Sequence, residues 1–279
     1  MLRFQKLCAA VLLAACLSGP LTATPAAAAM PTVEPETPRP LTDTELAEIV
    51  DFIVGNAVFA LYHQAGHMMA ARFGLDAADE AEADRFATML LLDPRSGAGD
   101  QTLVDAIDSY RLAAHEAGGV PRLPDRHSVD AARAEAIACD MVGADPGGFA
   151  DVADALGLDP AKREACAGIR QEAVERWRRV LAPATLGADA PGPPLPVAYD
   201  PPLDQDVAEA TILEDNGVLE EVAARLGASY AFATPPKLRA MHCGAPTSRY
   251  DAAHNELVLC YELSAHHGQL ILSDIERRG

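Results

Sequence analysis

The chain has 279 residues, of which 49% are hydrophobic and 23% are charged. This length suits one large domain or two small ones, and the apolar share is sufficient for a packed core. With 22 basic and 41 acidic residues the formal net charge is −19, which argues against nucleic acid or an anionic membrane surface as a partner, because both need a basic face.

The first residues have the layout of a secretory signal peptide. Arg3 and Lys6 precede a short apolar run and an Ala-rich tract, so we predict a signal peptide over residues 1–29. The apolar run is too short for a stable membrane span. We favour soluble export to the periplasm or the medium, although "LAAC", ending at Cys16, resembles a lipoprotein signal and leaves lipid anchoring as the alternative.

Removal of this leader leaves four cysteines, Cys139, Cys166, Cys243 and Cys260, in a compartment where disulfides persist. Four cysteines allow three pairings. We favour neighbours in sequence, Cys139 with Cys166 and Cys243 with Cys260, because each pair falls inside one candidate substructure. No C-x-x-C motif occurs, which argues against a thiolate zinc site.

The predicted elements begin after an extended, proline-containing arm over residues 30–41. "TDTE" at residues 42–45 has the form of a capping box and predicts the start of a helix. Apolar residues surround this helix almost completely, so we expect it to be central and buried, and to end at Gly74. A second helix is expected from about Asp76 through "DEAEADRFATMLLL", up to a break at residues 93–100.

The remaining part of the first half is also helical in pattern. Further helices are expected at about residues 102–117, 128–142 and 170–181. Asp159 and Pro160 mark a helix start, as an N-cap residue followed by a first-turn proline. We therefore predict a helical domain over residues 42–182.

A proline-rich segment at residues 183–202 predicts a linker or an extended crossing strand. Residues 203–279 then form a C-terminal segment with a helical pattern over residues 204–226. Two short strands, "KLRAMHC" and "NELVLCYEL", follow, with "YDAAHN" as the turn between them. The predicted fold class is therefore mainly α, with a small β element that contains a short disulfide-bonded hairpin.

The stretch "YHQAGHMMA" carries the candidate chemistry. His63 and His67 lie four residues apart, on one face of the first helix, and can present two imidazole nitrogens to one ion. Glu80 on the second helix is the candidate third ligand, and Asp84, one turn later, can accept a hydrogen bond from a ligand histidine. The alternative is that the histidines bind no metal and the carboxylates only stabilise a helix start.

Several blocks of the sequence together resemble a bacterial family of metallopeptidase-like proteins, domain-of-unknown-function family 4344. The blocks include "FIVGNAVFALYHQAGHMMA", "EAEADRFATMLLL", "ERWRRVLAP" and "MHCGAPTSRYDAAHNELVLCYEL", and the resemblance covers most of residues 45–262. It implies an exported, zincin-like protein of the gluzincin type. In that case His63, His67 and Glu80 are zinc ligands, and Asp84 lies behind them.

One departure from the family pattern concerns the catalytic base. Family members usually have H-E-x-x-H, whereas Gln64 stands at the glutamate position here. That glutamate takes a proton from the metal-bound water and passes it to the leaving amine, and a carboxamide can do neither. The family's "CG…NAFYDP" is also altered, to "CGAPTSRYDAAHN". We therefore predict a zinc-binding metallopeptidase homologue with reduced or lost activity and a peptide or protein as its substrate or ligand.

Two other functions stay open at this point. One is an active zinc peptidase in which Glu82 or a water relay replaces the missing base, and the other is a metal-free periplasmic interaction or scaffold protein. His127 is a candidate donor to a developing oxyanion, although we favour a capping or structural hydrogen bond for it. His266 and His267 lack partners at ligand spacing and are not included in the site.

Overall fold

The computed structural model of the chain describes residues 39–116, 131–187 and 189–279. Leu41–Gly279 forms one compact unit. The described residues are mainly helical with one four-stranded sheet, which confirms the predicted fold class. The predicted signal peptide, nearly all of the predicted arm and His127 lie outside the described residues.

The helices in the described part of the chain are α1 (Asp43–Phe73), α2 (Glu80–Leu92), α3 (Gly97–Glu116), α4 (Ala131–Ala144), α5 (Ala150–Ala155), α6 (Pro160–Leu181), α7 (Val207–Asp215), α8 (Val218–Ser229) and α9 (Tyr261–Arg278). The strands are β1 (Val197–Tyr199), β2 (Lys237–Met241), β3 (Ser248–Asp251) and β4 (Glu256–Cys260).

Helix α1 is the central element and has the ends predicted for it. The Thr42 hydroxyl accepts the Glu45 N–H, and the Glu45 carboxylate accepts the Thr42 N–H at 2.8 Å. The helix closes at Gly74, which has a left-handed φ of 77°. Because α1 packs against α2, α3, α8, α9 and the sheet, its second half is buried on nearly every side. This half carries the two candidate histidines.

Helix α2 begins at Glu80, four residues after its predicted start. The Asp79 carboxylate accepts the N–H groups of Ala81 and Glu82, and Asp76 accepts the N–H of Ala78. These two short-range side-chain bonds favour a turn ahead of the helix. The result places Glu80 in the first turn of α2.

The other helices differ from prediction mainly at their ends. Helix α3 begins at Gly97 instead of near residue 102, and the short helix α5 was not predicted. Helix α6 begins at Pro160, as its cap Asp159 indicates, but then runs unbroken to Leu181. The single helix predicted over residues 204–226 is interrupted at Gly217, whose φ of 61° separates α7 from α8.

The sheet has the strand order β1-β2-β4-β3. Strand β1 comes from the proline-rich segment, which is therefore a crossing strand in part. The predicted pairing of β2 and β4 as a hairpin is wrong: β2 is parallel to both β1 and β4, and Met241 lies opposite Cys260. The hairpin instead joins β3 and β4, with the predicted turn sequence between them. Tyr261, predicted to lie in a strand, begins α9.

Two disulfides join elements that are neighbours in the fold. Cys139 of α4 is bonded to Cys166 of α6, and Cys243 is bonded to Cys260 at the end of β4. These are the pairs favoured from the sequence. Among the described residues, no helix combines the length and the apolar character that crossing a membrane requires.

Candidate metal centre

The side chains of His63, His67 and Glu80 converge at one point between α1 and α2. The Nε2 atoms of the two histidines are 3.0 Å apart. Glu80 Oε2 lies 3.2 Å from His63 Nε2, and Glu80 Oε1 lies 3.6 Å from His67 Nε2. Both histidines are buried, with 3% and 7% of their surface exposed. The structure thus brings together the three residues that the sequence suggested as ligands.

A glycine allows the two helices to approach this closely. A Cβ atom at Gly66 would lie 2.8 Å from Ala83 Cα and 2.9 Å from Ala83 O. Such contacts are shorter than van der Waals distance and involve backbone atoms, which cannot swing aside. Gly66 precedes His67, and Ala83 lies one turn after Glu80, so this backbone contact determines how far apart the candidate ligands are.

The hydrogen bonds behind the imidazole rings determine which nitrogen carries the proton. His67 Nδ1 lies 2.9 Å from the carbonyl oxygen of Ala77, which can only accept, so Nδ1 must be the donor. His63 Nδ1 lies 2.8 Å from Asp84 Oδ1 and is likewise the donor to an ionised carboxylate. Each Nε2 therefore presents a lone pair toward Glu80, which is the orientation of metal-ligating histidines.

The spacing of the three donors fits a small tetrahedral metal ion. With metal–nitrogen and metal–oxygen distances of about 2.0–2.2 Å, tetrahedral geometry separates neighbouring donors by about 3.3–3.6 Å. The observed separations of 3.0, 3.2 and 3.6 Å lie around that range. Two histidines and one glutamate form the donor set of metal sites that keep one position open. This His-His-Glu group can therefore hold a metal ion.

Asp84 is held in place by Arg133 of α4. Arg133 Nε donates to Asp84 Oδ2 at 2.8 Å and Nη2 donates to Oδ1 at 2.7 Å, a two-point contact between buried side chains. Burial acts to raise the pKa of Asp84, but the charge of Arg133 and the bond from His63 outweigh burial and hold that pKa below its usual range. The carboxylate therefore stays ionised and orients the ring of His63.

The pKa of His63 reflects the same charges. Burial acts to lower it, whereas the hydrogen bond and charge of Asp84 raise it, with a further contribution from Glu80, and the net effect is a pKa above the ordinary value. The surroundings of this ring thus favour positive charge, in the form of a proton or a metal ion.

Arg133 is not among the site residues predicted from the sequence. Its guanidinium lies 4.6 Å over the ring of Tyr110, and its Nη1 is 3.7 Å from Glu80 Oε2. The sequence feature that could have indicated Arg133 is its position beside Ala134, Ile137 and other apolar residues on the buried face of α4. An arginine in such a position requires a carboxylate partner.

Gln64, at the position of the base, contacts the sheet. Its side chain is 1% exposed, and Nε2 donates to Ser248 Oγ at 3.1 Å. Ser248 belongs to β3, and the two residues are 184 positions apart in sequence. No local pattern in the sequence indicates this partner.

Glu82, the alternative base, is engaged in ion pairs. Its carboxylate contacts Arg85 at 2.9 Å and also Arg176. The same carboxylate would lose both partners if it turned toward the metal ligands.

A second group of possible metal donors lies at the end of the sheet, but its chemistry is different. Cys243 and Cys260 are joined by their disulfide, so neither offers a thiolate. The Glu262 carboxylate accepts the N–H of Cys243 at 2.9 Å and lies 3.0 Å from His242 Nδ1, which also contacts Asp206 at 2.8 Å. This cluster ties the loop after β2 to α9.

The helical fold and its His-His-Glu group define a metallopeptidase-like protein. The model of domain-of-unknown-function family 4344, described as "Putative metallopeptidase", matches residues 37–181, more than half of the chain. The protein belongs to this family. The matched residues contain the three candidate ligands, Asp84 and Arg133, whereas Ser248 lies beyond them. No curated protein and no solved structure matches the chain.

Proposed function

We propose that His63, His67 and Glu80 hold a zinc ion, and that this metallopeptidase homologue has reduced or lost peptidase activity because Gln64 replaces the base. The observation that carries the proposal is the convergence of two Nε2 lone pairs and one carboxylate at separations of 3.0–3.6 Å. Imidazole nitrogens favour zinc over magnesium or calcium, which prefer oxygen ligands. When bound, zinc acts as a Lewis acid and lowers the pKa of water to about 7.

The residues of the chain support loss of proton transfer more than loss of metal binding. Asp84 orients His63, and Arg133 keeps Asp84 ionised, and both contacts support metal binding by the three candidate ligands. Gln64, in contrast, has no basicity, and its amide donates to Ser248. General acid–base catalysis is worth about 10²–10⁴ in rate, so activity should be lower by a factor of that order.

The two alternatives are separated by measurable quantities. The ion pairs of Glu82 with Arg85 and Arg176 argue against Glu82 as the base of an active peptidase. This alternative therefore requires a water relay in place of the base. A metal-free interaction or scaffold protein would have no zinc.

We further propose export to the periplasm or the medium, with a peptide or protein as the substrate or ligand. Two disulfides, Cys139–Cys166 and Cys243–Cys260, are compatible with an oxidising compartment, and the predicted signal peptide agrees with them.

The metal content of the untagged protein, purified without added metal, tests this proposal. We expect about one zinc per chain, and less than about 0.1 for His63→Ala, because a structured site loses its affinity when one of three ligands is removed. His254→Ala is the matched control, since this imidazole is 72% exposed and its Nδ1 lies 2.9 Å from Asp251 at the end of β3. A metal-free wild type, or zinc retained by His63→Ala, would refute the site.

A further inference from the structure

A cavity of about 500 Å³ lies between the C-terminal ends of α2, α6 and α8. The chain that follows α6 closes one side of it, because the Leu186 N–H donates to the Ser229 carbonyl oxygen at 2.9 Å. Met89, in the cavity wall, lies nine positions after Glu80 on α2, about 13–14 Å along the helix. The cavity is therefore separate from the candidate metal ligands.

Most of the cavity wall is apolar. The volume exceeds three times that of a ~150 Å³ apolar cavity that binds benzene, so an alkyl chain of about eight carbons fits. Cavities of this size with apolar walls and a few polar groups are typical of small-molecule sites. The apolar residues of the wall include Met89, Leu90, Leu181, Leu186 and Pro191.

Arg225 is a fixed cation in this wall. Its Nη2 donates to the carbonyl oxygens of Leu90 and Asp93 at the end of α2, whereas Nε and Nη1 donate to none of the described residues. Arg178, also in the wall, is paired with the Asp93 carboxylate. Two arginines and one aspartate leave one uncompensated positive charge, which favours a monoanion as the ligand.

Tyr230 adds a neutral donor to the same end of the cavity. Only 6% of its surface is exposed, and its hydroxyl has no hydrogen bond with any described residue. Burial raises the pKa of Tyr230 to about 12, with Arg225 and Asp93 close enough to affect it, so the hydroxyl stays protonated. A buried hydroxyl without a partner is costly, and an anionic oxygen beside Arg225 would satisfy it.

The helix ends around the cavity do not offer competing acceptors. The Leu181 carbonyl oxygen accepts the Thr185 N–H at 3.0 Å, and the Ser229 carbonyl oxygen accepts the Leu186 N–H. The last carbonyl groups of α6 and α8 are thus satisfied within the chain, as those of α2 are by Arg225. The polar groups left for a ligand at this end are therefore donors.

We propose that this cavity binds an amphipathic monocarboxylate, such as a medium-chain fatty acid, with its carboxylate between Arg225 and the Tyr230 hydroxyl and its alkyl chain along the apolar wall. A guanidinium edge can donate two parallel hydrogen bonds to a carboxylate. Asp93 disfavours a phosphate, which carries a second negative charge. The site is independent of the proposed zinc site and adds a small-molecule binding function to the chain.

Titration calorimetry with octanoate, with and without a chelator, tests the proposal. We expect about one octanoate per chain under both conditions. Butyrate, which has the same carboxylate on a shorter chain, should bind at least about tenfold more weakly. Octyl alcohol, which has the chain without the charge, should also lose at least about tenfold. Octyl phosphate should bind at least about threefold more weakly than octanoate because of its second charge near Asp93.

Variants assign the two parts of the site. Tyr230→Phe removes only the hydroxyl and should weaken octanoate by about 3–10-fold, whereas Tyr250→Phe, on β3 and outside the cavity wall, should have no effect. Ala228→Leu fills the cavity and should weaken octanoate by at least about tenfold. Ala224→Leu, at an exposed position one turn earlier on α8, is its matched control.

Several results would overturn the proposal without reference to any variant. They are absence of octanoate binding, equal binding of octanoate and octyl alcohol, tighter binding of octyl phosphate, and loss of octanoate binding in the presence of the chelator. Octanoate affinity that is unchanged in a folded Ala228→Leu would overturn it as well. A wild type that contains no zinc would refute the metal site and leave this cavity unaffected.

Discussion

The helical region and the sheet-bearing region contribute to the candidate site in different ways. Helices α1, α2 and α4 provide the three candidate ligands and the Asp84–Arg133 pair, all within the residues that match the family. The C-terminal region, from β1 onward, provides Ser248, which contacts Gln64. The ability to hold a metal is thus a property of adjacent helices, whereas the surroundings of Gln64 depend on a distant part of the chain.

The variant Gln64→Glu has the largest expected effect, and it tests whether the helical region alone limits activity. Gln64→Glu restores a proton acceptor of the same size, so we expect chelator-sensitive peptide hydrolysis to rise by at least about tenfold and by up to about 10⁴-fold. Hydrolysis is measured on a mixed peptide library with and without a chelator.

The contribution of the C-terminal region is isolated by a double variant. If the Ser248 hydroxyl holds the introduced carboxylate away from the metal, Gln64→Glu combined with Ser248→Ala should be faster than Gln64→Glu alone. Unchanged hydrolysis in both variants would mean that the low activity does not result from the missing base. The difference between the two regions would then have no effect on catalysis.

The two disulfides allow a comparison of stability, because each region contains one. The Cys139–Cys166 bond spans 27 positions and the Cys243–Cys260 bond spans 17. Replacement of either pair by alanine should lower the free energy of unfolding by about 3 kcal/mol, with a few tenths more for the longer loop. Urea denaturation measures both. If the free energy of unfolding falls for only one of the two replaced pairs, chain entropy does not explain the contribution of the other disulfide.

Asp84→Asn tests the support behind the ligands. The amide keeps the shape of the side chain but removes its charge, so zinc affinity should fall by about 10–100-fold. Competition with a chromogenic chelator measures this affinity. Glu82→Gln is the matched control on the same helix, because Glu82 contacts Arg85 and Arg176 instead of a candidate ligand. Equal effects of the two variants would argue that charge in general, and not orientation of His63, governs affinity.

The smallest expected effect concerns the contact between the regions. Ser248→Ala leaves the buried Gln64 amide without its acceptor and should lower the free energy of unfolding by about 1–2 kcal/mol, while zinc content stays unchanged. Thr211→Ala, at an exposed site of α7, should change it by less than about 0.5 kcal/mol. Loss of zinc in Ser248→Ala would mean that the sheet supports the metal site directly.

Features that depend on short sequence separations were predictable. The capping box at Thr42 and the left-handed Gly74 fix the two ends of α1, and both act within one helical turn. The four-residue spacing of His63 and His67 places both rings on one face of α1. Glu80 follows after a tight turn and meets them because α2 packs against α1.

Features that depend on distant contacts could not be predicted in this way. Arg133 meets Asp84 from 49 positions away, and Ser248 meets Gln64 from 184 positions away. The parallel pairing of β2 with β4 also escaped prediction, because alternating apolar residues indicate a strand but not the direction of its neighbour. The strand pattern of "NELVLCYEL" likewise did not indicate the start of α9 at Tyr261, a fully buried residue.

The missing side chain at Gly66 has a consequence for ion selectivity. Any larger residue there would force α1 and α2 apart and lengthen the reach from the imidazoles to Glu80. A wider gap suits ions with longer coordination bonds, such as calcium at about 2.3–2.6 Å, and disfavours the short bonds of zinc. For the proposed zinc site, the ionic radius is therefore set by a backbone contact as much as by the identity of the coordinating atoms.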